Sequence, residues 1–169
     1  VSVGTGGMDK DEVIAALGLS GHFEGGYFRE TYRPAERAFA TPRGPRGTMS
    51  SIYYMLTADS PVDHFHTKHS TGIQYHHFGA PLTYHLIHPD GRYERVVLGP
   101  DIAKGQQPSL AVTGGVWKAA ELTAGDYGLV SEVVAPAWDM ADMIPIGRAE
   151  LLAKFPQHHD IIVRLTPAP

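Results

Sequence analysis

Cysteine is absent from the sequence of 169 residues, and its absence removes several kinds of chemistry. A chain without cysteine forms no disulfide, binds no zinc through thiolates and has no cysteine nucleophile. The absence also suits a reducing compartment, so we expect a cytoplasmic protein.

Long hydrophobic runs and basic clusters are also missing. No apolar run is long enough to cross a membrane, and the first residues lack the pattern of a signal peptide. The 14 lysine and arginine residues are outnumbered by 18 acidic residues and are scattered along the chain, so no basic stripe could follow a phosphate backbone. We therefore expect neither a membrane nor a nucleic acid as a partner, and we favour a small neutral or mixed-charge molecule.

Histidine, by contrast, is concentrated in one stretch of the sequence. Seven of the 10 histidines lie between His64 and His88. Histidine changes charge near neutral pH and is the commonest metal ligand in proteins. We therefore expect the chemistry of the protein in this stretch.

The alternation of side chains along a β-strand assigns these histidines to faces. Residues i and i+2 of a strand point to the same side of a sheet. This rule predicts that His64 and His66 lie side by side and face one cavity. On the following strand it groups Gly72, Gln74 and His76 on one face.

The rest of the chain has the pattern of a mainly β-protein. Asp9 is the predicted N-cap of a short helix that ends at Gly18. Short apolar or alternating runs, separated by glycine and proline, predict eight strands: 26–32, 51–56, 73–78, 82–87, 93–98, 110–112, 116–122 and 127–134. Residues 148–155 predict a terminal helix. So many closely spaced strands favour an antiparallel sandwich or barrel.

Several motifs occur in one order along the chain. They are EGGYFRETY at 24–32, SIYYML at 51–56, HFH at 64–66, PLT at 81–83, VLG at 97–99, GVW at 115–117, and a closing segment with Asp139 and Asp142. With these motifs the sequence, from about Val13 to Thr166, resembles the cupin-5 family, formerly a domain of unknown function, in the RmlC-like cupin superfamily. The resemblance implies an all-β double-stranded β-helix, a cupin jelly roll whose wide mouth holds a ligand.

Further expectations follow from the residues and, for the homodimer, from the resemblance. We expect a short N-terminal helix, a C-terminal helix and assembly as a homodimer. Residues 9–169 are expected to form a single cupin domain, and residues 1–8 a disordered lead or an expression remnant.

The resemblance also allows a comparison with the metal ligands of some cupins. Metal-binding cupins have a His-x-His pair, then a glutamate, then a glycine, and a further histidine in a second motif. His64 and His66 match the pair, and Gly79 matches the glycine. Gly72 stands at the glutamate position, and Lys118 stands where the last histidine would be. A protonated Lys118 would repel a divalent cation, so we expect no metal cofactor.

Acid and base chemistry is the expected alternative. His66 or His64 is the expected proton acceptor, and His76 the expected donor. Lys118 is expected to stabilise an enolate or another developing anion; imine formation by Lys118, if burial lowers its pKa, ranks below this role. The sequence thus favours a metal-free isomerase, cyclase or lyase that acts on a carbonyl-containing small molecule of specialised metabolism.

Further residues are candidates for binding the substrate: Gln74, Glu30, Tyr32, Tyr54 and Trp117. Glu30 and Tyr32 alternate on a strand that the resemblance brings near the mouth. Tyr54 lies on the strand before the histidines. Trp117 faces inward only if its strand is shifted by one residue, because such a slip exchanges the two faces.

Two other functions stay open. A metal-dependent cupin oxygenase or hydrolase would use His64, His66 and His76 to hold zinc, iron or nickel with open coordination positions. A non-catalytic module would use the same polar cavity to bind a small molecule. The fold does not decide between them, because one fold hosts many activities.

Overall fold

The computed structural model describes residues 7–168, so residues 1–6 of the expected lead lie outside the described residues. Within this range the helices are α1 (Lys10–Leu17), α2 (Arg148–Lys154) and α3 (His159–Arg164). The strands are β1 (Ser20–Gly21), β2 (Tyr27–Tyr32), β3 (Ser50–Thr57), β4 (Val62–Lys68), β5 (Thr71–Gly79), β6 (Leu82–Ile87), β7 (Tyr93–Leu98), β8 (Ser109–Val112), β9 (Trp117–Glu121), β10 (Tyr127–Ala135) and β11 (Met143–Pro145). None of the helices in the described range combines the length and the hydropathy needed to span a membrane.

The strands form two antiparallel sheets around one interior. The first sheet has the order β1-β2-β3-β10-β5-β8, and the second has the order β11-β4-β9-β6-β7. Strands that are distant in the sequence are neighbours in each sheet, as β10 is with β3 and β5, and β4 with β9. The predicted all-β class and jelly roll are therefore confirmed, with short helices at both ends of the chain.

Local sequence signals account for the ends of several elements. The carboxylate of Asp9 accepts hydrogen bonds from the backbone amides of Asp11 and Glu12, and the Glu12 side chain accepts one from the Asp9 amide. Gly18 then ends α1 in the left-handed conformation, with φ 62°. The turn between β6 and β7 contains Gly91 with φ 85°, and both predicted strands have the predicted bounds.

Three apolar clusters hold the sheets and helices together within residues 7–168, and one of them packs α1 against the first sheet. The inner core lies between the sheets and includes Leu56, Leu82, Leu86, Leu98 and Val130. The outer core lies between the second sheet and the C-terminal helices and includes Phe65, Trp117, Leu151, Ile162 and Leu165. Helices α2 and α3 therefore cover the outer face of the second sheet and do not enter the interior.

A β-bulge in β4 decides which of its residues face the interior. Asp63 pairs with Ala120 of β9, and His66 pairs with Lys118. Between these two pairs β4 advances three residues and β9 only two, so β4 carries one extra residue. The extra residue resets the alternation, and Asp63, His66 and Lys68 all line the interior cavity.

The outer core can be tested by truncating one of its side chains. Ile162 is fully buried, and we expect Ile162→Ala to lower the free energy of unfolding by about 2–4 kcal/mol, because the deleted atoms leave a cavity. Urea unfolding followed by circular dichroism measures this loss. Ile102→Ala is the control, because Ile102 is 70% exposed and its truncation should change the free energy by no more than about 0.5 kcal/mol. Equal losses in the two variants would contradict the position of Ile162 in the outer core.

Candidate active site

A cavity of about 140 Å³ opens between the two sheets. Part of its lining is apolar: Phe28, Ile52, Val130, Val134, Trp138 and Met143. Another part is a group of largely buried side chains that we call the polar cluster: Asp63, His66, Lys68, Gln74, Lys118 and Glu132. A ligand in this cavity therefore meets apolar walls and a polar, charged surface.

Glu132, on β10, is the centre of the polar cluster. Its Oε1 atom accepts hydrogen bonds from Lys68 Nζ at 2.6 Å and from Gln74 Nε2 at 2.5 Å, and Lys118 Nζ lies 3.8 Å away. Burial favours the neutral acid, but the ammonium groups of Lys118 and Lys68 outweigh it and hold the pKa of Glu132 well below its ordinary range. Glu132 is therefore a carboxylate near neutral pH.

Lys118, on β9, lies between two carboxylates. In addition to its contact with Glu132, its Nζ atom lies 3.5 Å from Asp63 Oδ2. Burial lowers the pKa of Lys118, but Glu132 and Asp63 outweigh it and raise the pKa above its ordinary value of 10.5. Lys118 is therefore an ammonium group, which disfavours the alternative in which this residue forms an imine.

The opposing effects on the pKa have a different outcome for Lys68, at the end of β4. Burial lowers its pKa, Glu132 opposes this effect, and the charge of Lys118 adds to it, so the pKa of Lys68 lies below its ordinary value of 10.5. When Lys68 is protonated, the polar cluster contains two ammonium groups, Lys68 and Lys118, and two carboxylates, Asp63 and Glu132. The formal charges of the cluster then balance.

His66 contributes a neutral imidazole. Its Nδ1 atom lies 2.8 Å from the carbonyl oxygen of His64, and because a carbonyl only accepts, Nδ1 carries the proton and Nε2 the lone pair. Burial lowers the pKa of His66 to about 4. Nδ1 also lies 3.6 Å from Asp63 Oδ1. Among residues 7–168 the Nε2 atom has no hydrogen-bond partner, so a ligand in the cavity can use it.

Tyr84 and Gln74 also carry polar atoms that the described part of the chain leaves unpaired. The Tyr84 side chain lines the cavity, and burial raises its pKa well above the ordinary value, so it remains an O–H donor. Gln74 Oε1 is a buried acceptor without a partner among residues 7–168. Tyr54 differs, because its hydroxyl donates to the carbonyl of Gly25 at 2.6 Å.

Five of the residues predicted from the sequence line this cavity: His66, Lys118, Gln74, Tyr54 and Glu30. Glu30 lies near the mouth, where Arg33 binds its carboxylate at 2.6 Å. The structure brings these five side chains to one cavity. Their catalytic and binding roles stay predictions.

Two predicted histidines do not line the cavity. The prediction that His64 lies beside His66 is wrong, because the bulge in β4 turns His64 away and its Nδ1 atom lies 3.0 Å from the carbonyl oxygen of Glu24. His76 is half-buried, and its Nε2 atom lies 3.2 Å from the carbonyl oxygen of Ala80. The expected pairing of His66 with His64 and His76 is therefore not present.

Tyr32 and Trp117 also lie outside the cavity lining. A register shift between Glu30 and Tyr32 separates their positions on β2, and Tyr32 is 50% exposed. Trp117 packs in the outer core because Lys118, its neighbour on β9, faces inward. The interpretation of Trp117 as a substrate-binding residue is therefore wrong.

Three members of the polar cluster were missed by the sequence predictions: Asp63, Lys68 and Glu132. A signal existed for Glu132, which is the one charged residue in the apolar run of β10. Lys68 also had a signal, since it follows His66 at the i+2 spacing. Asp63 had none, because its orientation depends on the bulge.

The metal ions of some cupins do not fit these residues. Within residues 7–168, no three His, Cys, Asp or Glu side chains are grouped so that they could hold a metal ion. The alternative ligand set His64, His66 and His76 is wrong, since two of its imidazoles turn to backbone carbonyls outside the cavity. Lys68 and Lys118 bind the carboxylates that a cation would need.

Because Gly72 has no side chain, the Glu132 carboxylate can occupy the space beside it. A Cβ atom at Gly72 would lie 2.6 Å from Glu132 Oε1, which is closer than atoms in contact allow. We expect Gly72→Ala to displace this carboxylate and to lower the free energy of unfolding by about 1–3 kcal/mol in urea titrations. Gly21→Ala is the control, because a Cβ atom on this exposed strand meets nothing within 4 Å. Equal losses in both variants would show that Glu132 does not depend on this space.

The buried imidazole of His66 makes stability depend on pH. Its pKa falls from 6.5 to about 4 on folding, so protonation favours the unfolded chain. The stability that the neutral imidazole contributes is complete above about pH 6.5 and is lost as the pH falls towards 4. The shift corresponds to on the order of 3 kcal/mol.

Urea unfolding between pH 7 and pH 4 measures this effect. We expect the free energy of unfolding to fall less steeply in His66→Gln than in the wild type, because glutamine does not titrate. His64→Gln is the matched control, since His64 also contacts a backbone carbonyl but lies outside the cavity. If the free energy of unfolding of His66→Gln fell with pH as steeply as that of the wild type, the assignment of a buried neutral imidazole would be overturned.

Comparison of the sequence with known proteins identifies a family and a relative. A sequence model of the cupin superfamily (DUF985) matches residues 11–144. Over 135 residues the chain is 36% identical to the uncharacterized protein YML079W of Saccharomyces cerevisiae. The match covers 72% of this chain and 67% of the yeast protein.

Two solved structures are similar along nearly the whole chain. A hypothetical protein from Leishmania major has a TM-score of 0.89 at 28% identity, covering 95% of this chain and 100% of that one. Protein SO0799 from Shewanella oneidensis has a TM-score of 0.87 at 31% identity, covering 96% and 99%. The family match includes every residue of the polar cluster, and the chain belongs to the Cupin_5 (DUF985) family of the cupin superfamily.

Proposed function

We propose that this cupin is an acid–base enzyme, an isomerase, cyclase or lyase, that removes a proton next to the carbonyl group of a small molecule. One observation carries the proposal. The lone pair of His66, the ammonium group of Lys118 and the unpaired hydroxyl of Tyr84 all line one cavity. They are a proton acceptor and two groups that stabilise an anion, which enolate formation requires.

His66 is the proposed base. Its Nδ1 proton is bound by the His64 carbonyl, which fixes the tautomer and leaves Nε2 to accept the proton of the substrate. Asp63 Oδ1, at 3.6 Å from Nδ1, would stabilise the imidazolium that forms. An imidazole with a pKa of about 4 is a weak base, so the reaction also depends on stabilisation of the enolate.

Lys118 and Tyr84 are the proposed partners of the enolate oxygen. Lys118 Nζ lies 5.9 Å from the centre of the Tyr84 ring, so both groups act in the same region of the cavity. A fixed charge or donor in a site with little water stabilises an anion more strongly than it would in bulk water. This stabilisation would compensate for the weak basicity of His66.

The charges and the apolar walls of the cavity also indicate which class of substrate would fit it. The formal charges of the polar cluster balance, so they favour no strongly charged ligand. The apolar walls include Trp138, whose backbone amide donates to Ser50 Oγ at 2.9 Å and whose carbonyl accepts from Arg33 at 2.8 Å. We therefore propose a neutral carbonyl compound with an apolar body that packs against this indole.

Deuterium exchange tests the proposal without knowledge of the natural substrate. A panel of apolar ketones and β-diketones is incubated in D₂O with the protein, and loss of the α-proton signals is followed by NMR. We expect the wild type to accelerate exchange and His66→Gln to reduce the rate by a factor of about 10²–10⁴. His64→Gln is the control and should exchange like the wild type, because His64 lies outside the cavity.

The pH dependence of exchange adds a second readout. The rate should rise with pH through about 4, since only the neutral imidazole of His66 accepts a proton. It should fall again only when Lys118 loses its proton, at a pH above 10.5. Equal exchange in His66→Gln and the wild type would overturn the proposal. Binding of the ketones without exchange would instead favour a non-catalytic binding module.

A further inference from the structure

Lys68 is a second buried amine in the cavity, and the acid–base mechanism gives it no task. Its side chain is only 11% exposed and lines the same cavity as His66 and Lys118. We infer that Lys68 is a nucleophile that forms an imine with the carbonyl group of the substrate. This inference rests on the proposed function through its base, His66. The imine nitrogen takes the place of the carbonyl oxygen, so loss of the α-proton gives an enamine instead of an enolate. The inference narrows the substrate to an aldehyde or ketone that carries an α-hydrogen.

The position of Lys68 suits this role. Beyond the bulge, His66 and Lys68 are two positions apart on one face of β4, and both line the cavity. This spacing is roughly 6.6 Å along a strand. An amine bound to a carbonyl carbon would thus hold the neighbouring carbon on the side of the base.

Glu132 does not depend on Lys68 alone. Its Oε1 atom also accepts a hydrogen bond from Gln74 at 2.5 Å and has Lys118 at 3.8 Å. When Lys68 loses its proton, Glu132 therefore keeps one donor and one cation. The second carboxylate, Asp63, contacts Lys118 and His66.

These contacts distinguish the two lysines. Lys118 has a carboxylate on each of two strands, whereas Lys68 has Glu132 and a neighbouring ammonium group. Accordingly the pKa of Lys68 is lowered and that of Lys118 is raised. Lys68 is the amine that more readily becomes neutral and nucleophilic.

The covalent step balances with water as its only by-product. The lone pair of the neutral Lys68 amine attacks the carbonyl carbon, and a C–N bond forms. The C–O bond then breaks, and the oxygen leaves as water with the two amine hydrogens. One proton from solvent converts the imine to an iminium ion, which keeps a positive charge beside Glu132 and acidifies the α-hydrogen that His66 accepts.

Acetylacetone is a suitable probe, because it converts a neutral amine to a stable enaminone with loss of one water. The protein is incubated with acetylacetone near pH 7, and the adduct is counted and mapped by mass spectrometry. We expect one adduct for each chain, on Lys68. The chain has four other lysines, Lys10, Lys104, Lys118 and Lys154, which should react far more slowly.

Substitutions separate a nucleophile from a structural cation. Lys68→Arg keeps the charge beside Glu132 but forms no enaminone, so the adduct should disappear while the fold is kept. Lys118→Met should retain the adduct on Lys68 but form it about tenfold more slowly for each unit by which the pKa of Lys68 rises when the repelling cation is removed. Lys154→Met is the control, since this lysine lies on the exposed surface of α2 and its loss should change nothing.

The outcomes of this experiment differ from those of the exchange experiment. An adduct on Lys118, or equal labelling of all lysines, overturns the inference. So does an absence of adducts in a wild-type protein that accelerates α-exchange, and in that case the acid–base function stands without an imine. An adduct on Lys68 in a protein without exchange supports the nucleophile and contradicts the proposed base.

Discussion

The buried carboxylate of Glu132 is the constraint on which the rest of the site depends. Glu132 lies on β10 of the first sheet, and its partners are Gln74 of that sheet and Lys68 and Lys118 of the second. A buried charge is tolerated only when it is paired and hydrogen-bonded, and removal of one partner of such a pair costs about 3–5 kcal/mol. The carboxylate therefore ties the two sheets together across the cavity and fixes the position of both ammonium groups.

Gly72 on β5 has no side chain, so the charged side chain of Glu132 on the neighbouring strand β10 fits beside it. The resemblance to metal-binding cupins aligns Gly72 with a glutamate, yet in this chain the carboxylate beside that position comes from Glu132 on the neighbouring strand. The two residues are near each other because β10 pairs with β5, so that Val134 lies opposite Gly72 and Glu132 lies opposite Gln74. A side chain at position 72 would meet Glu132 Oε1. The site thus contains a carboxylate next to this position, and two lysines of the same chain neutralise it.

The sequence predicted the secondary-structure elements well. It predicted the orientation of the side chains correctly on some strands and wrongly on others. Strands such as Leu82–Ile87 follow from local patterns of apolar and turn residues, and their bounds agree with the structure. The alternation rule also holds on β9, where Lys118 faces the cavity and Trp117 the outer core. It fails on β4, because a bulge arises from pairing with a strand more than 50 residues away, which no local pattern encodes. His64 was therefore assigned to the wrong face, and Asp63 was not recognised.

Under the proposed acid–base function, the charge balance of the cluster would allow a weak base to act. Before reaction the two ammonium groups offset the two carboxylates, and His66 is neutral. Transfer of a proton from a neutral substrate to His66 creates an imidazolium and an enolate, so the net charge of the cavity does not change. The new cation forms beside Asp63 and the new anion beside Lys118, and in a medium of low dielectric constant each is stabilised by a charge already in position. A cavity with an excess of either charge would stabilise one of the two products at the expense of the other, and proton transfer would then be less favourable.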